Sequence, residues 1–313
     1  MQIIKINKSS TKKKLFFDAS IMSKSSCLYR VKLIVADGLR AAGQTRFKLD
    51  FGSGFHVFLS NYYKDQDVAK ALKLATDYYK DKSSEYSEPP EVPYRVNDLI
   101  QGCIEYTEVY PFQRECDLQG LQVFKHGSNS FVEKKFAFPI YENDSHIAYF
   151  SGTVDMIGIN CGTPCIVEHK TTGSWKMNEF LDQYRLSLQC IVYSIIVDTI
   201  SKYYGYLNFI GIPILINGIF ISKTGFNFKR SDLFGISDSI KQEVSQELLR
   251  KIKYITDNAT SYSLRDGISK DVCKAFNDRC MFSDACLIDD LQERSSMLNA
   301  MFERKPYNPL KRD

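Results

Sequence analysis

Nowhere in the 313 residues is there a Gly-x-x-x-x-Gly-Lys-[Ser/Thr] loop, so the chain carries no ATP-driven motor of the P-loop kind. A clean membrane-spanning run is also missing. The longest apolar stretch, YLNFIGIPILINGIFI at 206–221, is broken by Asn208, Gly211, Pro213, Asn217 and Gly218 and reads as one or two buried strands. The opening MQIIKINKSSTKKKLFF lacks an apolar core followed by a small-residue cleavage site, so no secretory signal is expected. There are no internal repeats, and a composition of 44% hydrophobic and 25% charged residues excludes general disorder. The expectation is a soluble, cytoplasmic protein with a sizeable core.

A strong overall charge is lacking as well: 41 Lys and Arg against 37 Asp and Glu leave a net +4. The distribution is uneven. Residues 1–48 hold 11 basic and 2 acidic side chains, while the remainder holds 30 against 35 and sits at −5. A basic end favours phosphate or an acidic surface, although a solvated tail and one polar helix face account for it equally well. Cysteine is plentiful. Nine in a reducing compartment favour metal or cluster ligation over a disulfide framework.

Polar, Pro-rich residues 81–93 and the stretch 258–270 punctuate the chain. The expected organisation is a mainly helical N-terminal region, 1–130, a core at 131–257 and a Cys-rich segment at 258–313, integrated as one domain. Phe55, Leu59 and Tyr62 recur at helical spacing within 52–79. FVEKKFAFPI and IAYFSGTVDMIGI alternate in steps of two, NCGT is a turn, and PCIVEHKTT is a further strand. One long helix is expected from about Asn178, and an amphipathic helix in SDSIKQEVSQELLRKIKYIT. Helices, strands, a helix across them and a return to strand predict an α/β fold, with a mixed central sheet flanked by helices.

The chemistry concentrates in GTVDMIGINCGTPCIVEHKTT, residues 152–172. Glu168 and Lys170 are two apart on a strand and share a face, whereas Val167 and His169 point to the other. The turn near 160–163 can bring Asp155 beside Glu168. Two neighbouring carboxylates repel unless a cation lies between them, and hard oxygen ligands suit Mg²⁺ or Mn²⁺. Lys170 would position or activate a water and offset charge on a phosphate. The plainer alternative is a surface Asp and a Glu-Lys ion pair at a strand end.

Gly152-x-x-Asp155, Glu168-x-Lys170 and Gln189-x-x-x-Tyr193, taken in order, resemble the PD-(D/E)XK nuclease superfamily, in particular its RecB-like branch with CRISPR-associated and phage exonucleases and AddB-type nuclease domains. Val154 stands where the superfamily name has Pro. The resemblance implies a restriction-endonuclease-like core and a Mg²⁺- or Mn²⁺-dependent DNA exonuclease. His56, Asp155 and Glu168 would be metal ligands, with Lys170 at the water and Gln189 and Tyr193 on the DNA backbone. Gly52-x-x-x-His56 resembles the family's metal-ligand helix, and Glu133 corresponds to a glutamate on the strand before Asp155.

Cys273, Cys280 and Cys286 fall within fourteen residues, a density that suits zinc or an iron-sulfur cluster. The same branch implies that Cys27 joins them around a [4Fe-4S] cluster. The interval between Cys273 and Cys280 is longer than the commoner family pattern, and Leu28 replaces a usual Pro. The remaining five, Cys103, Cys116, Cys161, Cys165 and Cys190, read as small core residues. DNA is the implied partner; strand separation, if it is needed, would come from a helicase or recombination partner or from fraying ends, and oligomers occur in the family. A non-catalytic nucleic-acid-binding or assembly protein, and a CRISPR-adaptation trimming factor, are the competing readings.

Overall fold

The computed structural model describes residues 11–41, 47–86, 90–111, 120–126, 129–260, 273 and 280–310. In chain order the elements are β1 (Lys13–Phe17), α1 (Ala19–Met22), α2 (Leu28–Val35), β2 (Leu39–Ala41), α3 (Phe47–Asp65), α4 (Val68–Ser84) and α5 (Val96–Val109). Strands β3 (Leu121–Val123), β4 (Lys125–His126), β5 (Asn129–Ser130), β6 (Val132–Glu142), β7 (His146–Asn160) and β8 (Thr163–Thr172) follow. The chain continues through α6 (Met177–Asp182), α7 (Leu188–Tyr204), β9 (Ile214–Ser222), β10 (Gly225–Arg230), α8 (Asp238–Asp257), α9 (Ser283–Cys286), α10 (Leu291–Met301) and β11 (Phe302–Arg304). Two compact units result, one of Met1–Gln44, Lys135–Thr153 and Ser239–Asp313, the other of Thr45–Lys134 and Val154–Asp238. Among the described residues, no helix is long and apolar enough to cross a membrane.

In the second unit the alternating apolar residues of β7 and β8 form a hairpin, paired from Met156 with Val167 to Asn160 with Thr163. The two-residue link, Cys161 and Gly162, has φ of 49° and 79°, the left-handed pair that a two-residue hairpin requires. Strand β9 lies parallel to β8, from Ile166 opposite Ile214 to Thr172 opposite Phe220, and β10 returns antiparallel to β9. The strands therefore form a mixed sheet, as the alternation of strand and helix in the sequence predicts. Helices α3, α4 and α5 bury Phe51, Phe55, Phe58, Tyr79 and Leu99 against Val167, Leu215 and Ile219. The 206–221 stretch contributes one strand, β9, preceded by a short 3-10 turn at Leu207–Phe209.

The single helix expected from Asn178 is two. Between α6 and α7 the backbone closes i to i−3 turns, with Tyr184 N–H donating to Leu181 O and Arg185 N–H to Asp182 O. Ser187 then caps α7, its hydroxyl accepting from Cys190 N–H at 3.3 Å. Restarting the helix at Leu188 places Gln189 in its first turn.

In the first unit β1 runs parallel to the N-terminal half of β7, and β2 pairs antiparallel with β11. A small core of Tyr29, Leu33, Leu39, Phe282, Leu298 and Phe302 encloses Cys27.

Candidate active site

Every residue of the expected catalytic set lies in the second unit. Helix α3 approaches β8 closely because Gly52 carries no side chain: a Cβ there would sit 2.6 Å from Thr171 Oγ1. One turn later on the same face, His56 reaches the sheet with Nδ1 3.6 Å from Asp155 Oδ2. The spacing Gly52-x-x-x-His56 thus has a steric cause.

Asp155 is 2% exposed. The β7–β8 ladder is recorded up to Met156 and Val167, and next to it the Asp155 carboxylate accepts the His169 backbone N–H at 2.9 Å. A side chain here does the work of a main-chain carbonyl, and this fixes the carboxylate on the strand pair. Glu133, near the start of β6, completes a group with His56 and Asp155 in which one ligand atom from each lies within 4.8 Å of the others. Glu133 has φ of 49°, a left-handed conformation that L side chains avoid and that clusters at functional positions. Two carboxylates and one imidazole fit a hard divalent cation.

Glu168, 1% exposed on β8, is not one of that compact group, but it feels the charges of Asp155 and His56. Its Oε1 accepts from Lys170 Nζ at 2.5 Å and from Gln189 Nε2 at 2.6 Å. Its Oε2 is buried and has no hydrogen-bond partner, a costly arrangement that a cation would relieve. Burial first, and then the charge of Asp155, push the Glu168 carboxyl up to about 7 against the opposing pull of Lys170 and His56. Burial works against the Lys170 ammonium, but the charges of Glu168 and Asp155 outweigh it and raise its pKa. Lys170 is accordingly a cation and not a free base.

Gln189 ties these groups together. Its Oε1 accepts from Lys170 Nζ at 2.8 Å, and its Nε2 donates to Tyr193 Oη at 2.9 Å as well as to Glu168. Gln189 and Tyr193 share one face of α7, as the i, i+4 spacing predicts. The Gln189 amide is engaged with protein partners, and Tyr193 is buried.

The polar layer behind the site carries little signal in the sequence. The Asn217 side-chain amide nitrogen donates to His169 Nδ1 at 2.9 Å and to Tyr106 Oη at 2.8 Å. Burial pushes the His169 imidazole well below its usual range, with the charges of His56, Arg230 and Lys170 adding to the effect. It stays neutral. These partners come from α5, β8 and β9, far apart in sequence, and only the strand register of His169 opposite Asn217 brings them together.

The expected cluster ligands lie in the first unit. Cys27 caps α2, its sulfur accepting Arg30 N–H at 3.4 Å, and Cys280 N–H donates to Cys273 O at 2.7 Å. Burial raises the Cys27 thiol pKa, and the proximity of Cys280 and Cys273 raises it further. Cys280 and Cys286 pack against the same small core as Cys27. Among the described residues the four sulfurs do not form a group compact enough for a single ion. Cys103, Cys165 and Cys190 are buried as expected, Cys161 is exposed at its turn, and Cys116 lies outside the described residues.

The sequence matches the PD-(D/E)XK nuclease superfamily over residues 21–286. No curated protein matches it. Among solved structures, one from Eubacterium rectale titled "Putative exonuclease" is similar at 14% identity, over 94% of this chain and 93% of that one, with a TM-score of 0.45.

Proposed function

Because the chain belongs to the PD-(D/E)XK nuclease superfamily, we propose that it is a Mg²⁺- or Mn²⁺-dependent deoxyribonuclease that hydrolyses phosphodiester bonds. The observation that carries this reading is the meeting of His56, Glu133 and Asp155 in one compact group beside the Glu168–Lys170–Gln189 cluster. A binding protein has no need to bury two carboxylates and a lysine around a common centre.

A divalent ion at this group supplies Lewis acidity toward a phosphodiester. His56, Glu133, Asp155 and the unpartnered Oε2 of Glu168 would hold it. The His169 backbone N–H keeps the Asp155 carboxylate in place. Lys170 has three donors, two of them committed to Glu168 and Gln189, and the third is available to orient a water or neutralise a phosphate oxygen. Gln189 is a positioning residue, fixing Lys170 and Glu168 from α7 while Tyr193 fixes Gln189.

Exonuclease action of the RecB-like kind, in recombination, repair, replication or phage DNA processing, rests on the ordered motifs alone. Strand separation, where a substrate needs it, would come from a helicase or recombination partner or from fraying ends. We assign a [4Fe-4S] cluster to Cys27, Cys273, Cys280 and Cys286. Zinc at about 2.3 Å from each sulfur would need its ligands packed tightly together, whereas a four-iron cube spaces its thiolates more widely. The closeness of Cys280 and Cys273 to the Cys27 thiol supports a shared site of this wider kind.

The test is cleavage of end-labelled single- and double-stranded DNA by anaerobically purified protein, with and without Mg²⁺ or Mn²⁺, beside Glu168→Ala. Metal-dependent shortening from an end, lost in the variant, is expected. Metal-independent binding with no cleavage by either strand form would instead favour the non-catalytic reading.

A further inference from the structure

We propose that Trp175 is a stacking platform for an unpaired base of single-stranded DNA, set at the far end of α6 from Lys170. That this strand is a nuclease substrate rests on the proposed function. The stacking site itself rests on the surface chemistry of α6 and of the loop before it.

Trp175 is the single tryptophan of the chain and is 84% exposed. Its aromatic neighbours in sequence are packed: Phe180 meets Phe220 at 5.5 Å and Tyr184 at 5.3 Å, both edge-on. An indole left in water forgoes the burial that Phe180 obtains five residues later. The loop that presents it is tied down three times. Thr172 Oγ1 accepts Ser174 N–H at 3.0 Å, Ser174 Oγ accepts Lys176 N–H at 3.2 Å, and Trp175 O accepts Met177 N–H at 3.2 Å. A ring held out on such a backbone loses little conformational freedom when a flat ligand stacks on it.

The strand register places the indole relative to the site. Lys170 on β8 and Lys229 on β10 both lie opposite Gly218 of β9, so the three share one face across about 10 Å of sheet. Helix α6 and the turn after it cross this face in steps of three residues. Asn178 Oδ1 accepts from Lys229 Nζ at 2.6 Å, Leu181 Cδ2 would lie 3.0 Å from a Cβ on Gly218, and the Tyr184 ring centroid is 5.4 Å from Lys170 Nζ. Three helical residues rise about 4.5 Å, close to the roughly 4.8 Å between strands, so each step meets the next strand. Trp175, three residues before Asn178, continues this line beyond β10, which ends the sheet. Along the line it is about 14 Å from Lys170, or about four nucleotides at about 3.4 Å each.

The charges on this path do not repel a phosphate chain. Glu179 pairs with Lys176 at 2.8 Å and Asp182 with Arg185 at 3.1 Å, so the four cancel. Lys176 Nζ also lies 5.6 Å from the Trp175 ring centroid. Lys229, bonded to a neutral amide, adds a positive charge between the indole and the site. Aromatic stacking accepts any base, because every base has a π face. Paired bases are already stacked on one another, so the platform favours single strands.

The single tryptophan makes the test direct. The full protein in EDTA, at constant ionic strength, is titrated with a single-stranded oligonucleotide and with its blunt duplex, reading indole fluorescence and the anisotropy of an end-labelled strand. Saturable quenching by the single strand, and weaker quenching by the duplex, is expected. Trp175→Ala should weaken single-strand binding about 5- to 150-fold, the scale of one lost base stack. Trp175→Phe should recover most of that loss, and both variants should match the wild type by circular dichroism. No quenching by DNA, or equal affinity in Trp175→Ala, overturns the site. A blue shift of emission on vesicles of phosphatidylserine and phosphatidylcholine, with none on DNA, also overturns it and assigns the indole to a membrane surface.

The titration contains no divalent metal and requires no cleavage. Quenching by a protein that never cleaves DNA therefore upholds the stacking site while the nuclease reading fails. With Mg²⁺ or Mn²⁺ present, Trp175→Ala should raise KM for single strands with kcat retained. An unchanged KM refutes the link to the substrate strand.

Discussion

Replacing Gly52 with Ala tests the steric reason for the close approach of α3 to β8. The added Cβ would sit 2.6 Å from Thr171 Oγ1, and ordinary contact begins at 3.4 Å, so the two elements must part by up to about 0.8 Å. His56 stands one turn further on the same helix face and moves with it. A displacement near 1 Å at a catalytic group costs on the order of 100-fold, so kcat/KM for DNA should fall on the order of 10- to 100-fold, with metal affinity falling too. Stability should change far less than activity, because Ala is favoured over Gly inside a helix by about 1 kcal/mol, which offsets much of the strain. The double variant Gly52→Ala, Thr171→Ala removes the opposing atom and should recover most of the lost activity. Cleavage kinetics and Mn²⁺ titration on the four proteins of this double-mutant cycle provide the measurement. Full activity in Gly52→Ala, or no recovery in the double variant, would refute the argument that this contact positions His56.

Lys170→Ala should keep metal and DNA binding while losing about 100-fold or more in single-turnover cleavage, the scale of a lost electrostatic group; near-normal cleavage would sink the proposed role. The Glu168 carboxyl is raised from 4.5 to about 7 in the fold, so its contribution to metal-free stability is full below the unfolded value and is lost as pH rises through about 7. A divalent ion favours the ionised form, so the stabilisation by Mn²⁺ measured by thermal melts should be larger at pH 8 than at pH 5; an equal increment at both would count against Glu168 as a ligand. Cys286→Ala should lower iron content and the visible absorbance of anaerobically purified protein, and a wild type without iron would remove the cluster.

Much of the site follows from local geometry. The period of two in β8 puts Glu168 and Lys170 on one face, and the helical period puts Gln189 and Tyr193 on another, so both pairs and the β7–β8 hairpin are readable before any tertiary contact is known. Other features depend on contacts that periodicity does not encode. Glu133 joins the metal group through a left-handed φ near the start of β6, and an alternating pattern such as FVEKKFAFPI contains no sign of that conformation. The expected single helix after Asn178 divides because Ser187 caps a new start, and the helical spacing of Leu181, Tyr184 and Leu188 hides the break.

The amino-acid sequence by itself determined the family, the alternation of strand and helix, and the grouping of Asp155, Glu168 and Lys170 within one hairpin. These depend on residue type and on spacings of two to four positions, which the backbone converts directly into shared faces. Tertiary structure decided that Glu133 meets His56 and Asp155 in one compact group, that Gln189 serves Lys170 and Glu168, and that Arg230 stacks on Tyr110 and bonds Tyr63. Each of those outcomes needs segments tens of residues apart to meet at a fixed register, and that register is set by packing the whole sheet against its helices.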